Sequence, residues 1–178
     1  MQGAALLLLL FSPGLQRQRA IWINVPFVAQ PRDGCGAASV AMVMQYWAAQ
    51  QHRAATSASS VEAIQKQVYT RRLHGATPAA LEGYLERHGY LAFAVSGKWQ
   101  ELYEQLRKGR PLIVALRPPG QRALHYVVID GMDPQHGLVM MNDPELRKLL
   151  PESRKQFEKD WSATHRWMLL AVPQSPHA

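Results

Sequence analysis

A chain of 178 residues is the length of one domain with a single core, and 47% hydrophobic with 19% charged residues is the composition of a folded globular protein, which excludes general disorder. Its one cysteine, Cys35, excludes an intramolecular disulfide and any multi-cysteine zinc site. The formal net charge of +7 is scattered in runs of no more than two basic residues, so it reads as solvated surface and not as the basic stripe of a nucleic-acid binder.

The chain begins with an apolar run, Ala4 to Phe11, followed by the turn-forming Ser12-Pro13-Gly14. Eight residues at about 1.5 Å each cannot cross a hydrocarbon core of about 30 Å. The length does suit the apolar part of a secretory signal. Residues 1–20 are therefore set apart as a hydrophobic segment, a signal peptide or a short arm on the domain, and an exported, periplasmic or membrane-associated protein is the reading taken, with a cytoplasmic one as the alternative.

Residues 21–173 read as one domain and 174–178 as a polar tail. Trp22 to Val28 is extended and ends near Pro26. Gly36 to Ala49, rich in Ala and Met and apolar on most faces, has the pattern of a core helix. Residues 50–59 form a loop, and Ser60 caps a second helix reaching about Tyr69. Thr77-Pro78 marks a third helix start, Leu81, Tyr84 and Leu85 give it an apolar stripe, and Gly89 closes it. Tyr90 to Val95 reads as a strand, and Lys98 to Lys108 as a helix ending at Gly109. The rest is mostly β: Pro111–Leu116, Leu124–Asp130, Gly137–Asn142 and Trp167–Val172. Helices first and strands afterwards make the fold class α+β, with an antiparallel sheet.

Cys35 lies where a loop gives way to the first helix. There the positive end of the backbone dipole and unpaired N–H groups favour the thiolate, the reactive form of the side chain. A thiol nucleophile needs a base, a group that orients the base, and donors for an oxyanion. His125 leads as the base, because it begins an apolar strand while the other six histidines fall in loops, helix ends or the tail. Hairpin geometry supplies the orienter. With a turn near Met132-Asp133-Pro134-Gln135, His125 faces Asn142 or Asp143, whereas Asp133 sits roughly 25 Å away at the turn tip. Asp143 is the better partner and Asn142 the reserve. Gln30, five residues before Cys35, is the candidate oxyanion donor, and Gly34 and Gly36 would let a substrate backbone approach. No pair of residues has zinc-motif spacing and no Gly-rich phosphate loop is present, so no metal or cofactor is expected.

The run Val25-Pro26-Phe27, Gln30 and Asp33-Gly34-Cys35-Gly36-Ala37-Ala38-Ser39 closely resembles the papain-like cysteine peptidases of the bacteriocin-processing, double-glycine-leader group, cysteine-peptidase family thirty-nine. Leu124-His125-Tyr126-Val127-Val128 with Gly131, and Asn142-Asp143-Pro144, resemble that family's histidine and aspartate motifs in the same order. Phe157, Trp161 and Trp167 resemble its C-terminal segment. The resemblance spans roughly residues 22–172. It implies a papain-like fold in which the helix carrying Cys35 packs on the sheet bearing His125 and Asp143, with Gln30 at the oxyanion. The expected activity is hydrolysis of a peptide or protein substrate through a thioester. Transfer of the acyl group to an amine uses the same residues. A non-catalytic peptide-binding module would be marked by an altered Cys, His or Asp, and none is altered.

Overall fold

The structure is a computed structural model that describes residues 18–174. The expectations for the apolar run Ala4–Phe11 and for the last four residues of the tail lie outside them. In chain order the elements are β1 (Ile21–Trp22), α1 (Cys35–Gln50), α2 (Val61–Val68), β2 (Tyr69–Thr70), β3 (Gly75–Ala76), α3 (Pro78–Arg87), β4 (Tyr90–Ser96), α4 (Trp99–Arg107), β5 (Leu112–Leu116), β6 (His125–Asp133), β7 (Leu138–Asp143), β8 (Arg147–Ser153), α5 (Arg154–Ser162) and β9 (Trp167–Pro173). No helix among the described residues is long and apolar enough to cross a membrane.

Six strands form an antiparallel sheet in the order β4-β9-β5-β6-β7-β8, and β1 pairs with β6. The sheet is the middle layer. Successive strand residues point to opposite faces. Ile113, Ala115, Tyr126 and Val128 accordingly enter one cluster with α1, α2 and α3, while Leu112, Val114, Val127 and Ile129 enter another with α4 and α5. Burial on both sides explains why β5, Leu-Ile-Val-Ala-Leu, is apolar throughout.

Eleven of the sixteen residues of α1 are buried, as its sequence requires. Its small first turn allows close approach to the sheet. A Cβ on Gly36 would meet Leu81, Tyr126 and Ala76 at 3.1, 3.2 and 3.3 Å, and one on Gly34 would meet the Pro31 ring at 2.7 Å. Both glycines therefore serve internal packing, not the approach of a substrate.

Several starts are capped as the sequence suggests. Ser60 accepts from the Ala63 N–H and Thr77 from the Ala80 N–H, both at 3.2 Å. Three expectations need correction. Only Ile21–Trp22 of the segment up to Val28 is strand. Strand β8 and helix α5 were not anticipated, so helices and strands interleave along the chain. Finally, β6 continues to Asp133, and the turn occupies residues 134–137.

Candidate active site

Cys35 is the first residue of α1 and is buried, with 8% of its surface exposed. No side chain caps this helix start, which leaves its first N–H groups to other partners. The thiol donates to the Leu124 carbonyl at 3.8 Å. The loop leading to it is tied down at three points. The Gln30 N–H donates to the Pro144 carbonyl at 2.9 Å, the Gln65 amide donates to the Arg32 carbonyl at 2.8 Å, and the Asp33 carboxylate lies 3.4 Å from the Tyr69 hydroxyl and 3.5 Å from His74 Nδ1. Asp33 adopts φ +57°, one of the few left-handed residues, where the chain turns into the helix.

His125 opens β6, opposite Leu116 on β5, and Asp143 ends β7. Their side chains are 13% and 9% exposed, and His125 Nε2 lies 3.0 Å from Asp143 Oδ1. An ionised carboxylate only accepts, so Nε2 carries the proton and donates. The same Oδ1 accepts the Glu145 N–H at 2.9 Å, which holds the carboxylate from the turn side. Cys35 is within hydrogen-bonding reach of the imidazole, and with Nε2 occupied the free nitrogen for the sulfur is Nδ1.

These contacts set the charges. Burial works against a charged imidazole, but the hydrogen bond to Asp143, the hydrogen bond to Cys35 and the charges of both push His125 up to about 10. Burial also raises the Asp143 carboxyl, yet the His125 hydrogen bond and charge, with the Glu145 and Leu146 backbone, bring it below the ordinary carboxylate range. The arrangement is therefore a buried imidazolium–carboxylate pair beside a thiol at a helix start.

The route to this pair differs from the simple hairpin reading. Asp133 pairs with Leu138 and Gly131 with Met140; after a bulge at Asp130, Ile129 pairs with Met141 and Val128 with Asn142. Continuing this register puts Asp143 across from Val127, so His125 meets it along the diagonal, which neighbouring strands allow for a long side chain. Asn142, the reserve partner, points to the other face. Its amide donates to the Val25 carbonyl at 3.3 Å and its oxygen accepts the Leu149 N–H at 3.0 Å, so it links β7 to the segment before the helix. Asp133 pairs with His136 at 2.6 Å, at the far end of the hairpin.

Gln30 is half-buried, and its side-chain Oε1 is buried without a hydrogen-bond partner. Sequence reasoning missed Glu145, whose Oε2 lies 3.9 Å from His125 Nδ1, and the Leu124 carbonyl on the thiol. The position of Glu145 two residues after Asp143 was the available signal. A cavity of about 470 Å³ is lined by Leu124, whose carbonyl accepts from the thiol, with Ala115, Trp167, Ala94 and Pro78, and with Arg117 and His165 at its wall. Another cavity, about 650 Å³, is at the other end of α1, around Met44, Ala48 and Tyr90, and is lined by none of Cys35, His125, Asp143, Gln30 or Glu145. Among the described residues no group of three His, Cys, Asp or Glu side chains is placed to hold a metal ion.

No curated protein matches the chain. Solved structures do. A protein described as a C39-like peptidase from Bacillus anthracis superposes with a TM-score of 0.68 at 18% identity, over 89% of this chain and 100% of that one. The peptidase domain of Streptococcus ComA, a bifunctional ABC transporter of a quorum-sensing pathway, gives 0.66 at 20% identity over 85% and 100%. A double-glycine-motif protease from an AMS/PCAT transporter, solved with its leader peptide, gives 0.64 at 20% over 86% and 94%. These likenesses establish the papain-like peptidase fold. The model of the Peptidase_C39 like family matches residues 22–168, most of the chain, and the protein belongs to that family of cysteine peptidases.

Proposed function

We propose that Cys35, His125 and Asp143 act as a catalytic triad that hydrolyses a peptide bond. The observation that carries this reading is the 3.0 Å contact between His125 Nε2 and Asp143 Oδ1, with the Cys35 thiol at the start of α1 within reach of the same ring. The Cys35 sulfur attacks the carbonyl carbon while its proton resides on His125 Nδ1. The tetrahedral intermediate collapses to a thioester as His125 returns that proton to the leaving amine. Water then attacks the thioester, giving its proton to His125, and the sulfur leaves with the acid product released. Asp143 keeps the ring oriented and stabilises its charge throughout.

Gln30 supplies the oxyanion donor in this scheme, together with the Cys35 backbone N–H. Its backbone is fastened to Pro144, next to Asp143, so the donor and the orienting carboxylate share one anchor. The substrate class is a peptide or protein, in keeping with the leader peptide bound by the transporter protease of similar fold. The apolar run Ala4–Phe11 serves export in this reading, and mass spectrometry of the mature N-terminus tests that part.

The deciding experiment incubates the protein, Cys35→Ser and His125→Ala with a peptide library and identifies products by mass. Cleavage by the wild type alone, with products bearing new carboxylate termini, supports the reading. Equal cleavage by all three, or amide products formed with added amines in place of acids, overturns hydrolysis by this triad.

A further inference from the structure

Glu145 is used at both ends, and only one end belongs to the machinery above. Its backbone N–H donates to Asp143 Oδ1 at 2.9 Å. Its side chain brings Oε2 to 3.9 Å from His125 Nδ1 and is 60% exposed. At that distance the contact with the protonated ring is a long ion pair and not a hydrogen bond, which leaves the exposed carboxylate able to meet a second cation. The ion pairs that involve Lys or Arg among the described residues are made by Glu104 and Glu158, not by Glu145. The cavity that begins at Leu124, whose carbonyl accepts from the thiol, has no carboxylate in its lining. A chain of net charge +7 repels cations at long range, so an exposed carboxylate beside the imidazole sets a local field opposite to that of the whole molecule.

The geometry points to Glu145 as a specificity residue that receives a cationic group of the substrate, a Lys or Arg side chain or a free α-amino group, at a residue adjoining the bond to be cut. The inference rests on the peptidase reading of the same site and names the substrate class for it. An exposed ion pair of this kind contributes a preference of roughly two- to fivefold for cationic over neutral peptides. The preference shrinks as ionic strength rises, because exposed charges are screened.

The test compares wild type, Glu145→Gln and Glu145→Lys with two readouts. The first is the ratio of kcat/KM for matched peptides carrying Lys or norleucine next to the scissile bond. The second is the ratio of Cys35 modification rates by cationic trimethylammonium-ethyl and anionic sulfonato-ethyl methanethiosulfonates, which needs no turnover and reports on the chain's only thiol. Glu145→Gln leaves the N–H on Asp143 in place. It is expected to lower both ratios several-fold relative to wild type, and Glu145→Lys to lower them further. Ratios unchanged within twofold overturn the inference, as does a change in the reagent ratio with none in the peptide ratio. If no peptide is cut at all, the peptidase reading and the substrate assignment fall together, while the reagents still show whether the field at the thiol is acidic.

Discussion

Asp130 provides a stability test of the strand that carries His125. Its side chain is fully buried at the bulge of β6, and neither carboxylate oxygen has a hydrogen-bond partner. Burial pushes its carboxyl up from 3.8 to about 7, against the pull of the Lys148 charge. The native state thus binds the proton more tightly than the unfolded chain. The cost of ionising Asp130 is absent below the unfolded value, grows as pH rises, and is complete above about 7. At about 1.4 kcal/mol per unit, the shift amounts to a penalty of about 4 kcal/mol at most. Asp130→Asn removes the charge at nearly constant shape. In urea denaturation between pH 5 and 9 the variant is expected to become steadily more stable than wild type as pH rises, with the gap levelling off above pH 7. The difference between the two proteins isolates this group from the other titrating residues. A gap that does not change with pH would mean that water solvates the carboxylate in the native state, and would refute the reasoning.

Asp143→Asn keeps an oxygen for the Glu145 N–H but removes the charge that supports the imidazolium. Peptide cleavage is expected to fall by about 10² to 10⁴, measured as kcat/KM, with folding checked by circular dichroism. Gln30→Ala is expected to lower kcat by about 10² to 10³ with little change in KM, and a change confined to KM would remove Gln30 from the oxyanion. Gly36→Ala forces a methyl to within 3.1–3.3 Å of Leu81, Tyr126 and Ala76. It is expected to cost about 1–3 kcal/mol in chemical denaturation, partly offset by about 1 kcal/mol of helix propensity.

The parts of the fold legible in the sequence are those encoded locally. Thr77-Pro78 and Ser60 announce helix starts through side chains that do cap them, and the unbroken apolar run of β5 marks a strand covered on both faces. Strand β8 was hidden because burial does not follow polarity along it: Lys148 and Glu152 are half-buried while Leu149 is exposed, and it includes Pro151. Proline is tolerated there because β8 is an edge strand, where a missing N–H costs little. Helix α5 had readable signals. Ser153 accepts from the Gln156 N–H at 3.3 Å, and Phe157 and Trp161 stand four residues apart, on one buried face.

The meeting of His125 with Asp143 depended on tertiary detail that the sequence does not carry. Asp133-Pro134 reads as the start of a turn, yet Asp133 is the last strand residue, its carboxylate accepting the N–H groups of Gln135 and His136 at 3.1 and 3.2 Å. The bulge at Asp130 then shifts the register by one. That shift puts Asp143 across from Val127, on the face that His125 shares, and the diagonal reach of His125 then brings the pair together. Glu145 was passed over because an acidic residue after Asp-Pro is unremarkable until the turn places it beside the ring.

The most direct measurement is the rate at which iodoacetamide alkylates Cys35 in wild type and in His125→Ala, followed from pH 6 to 10. With His125 holding its proton until about 10, wild type is expected to label at least about tenfold faster at pH 7. That advantage should fade as the pH nears 10 and the imidazolium is lost. Equal, slow labelling of both proteins at neutral pH would contradict the claim that thiol, imidazole and carboxylate work as one unit.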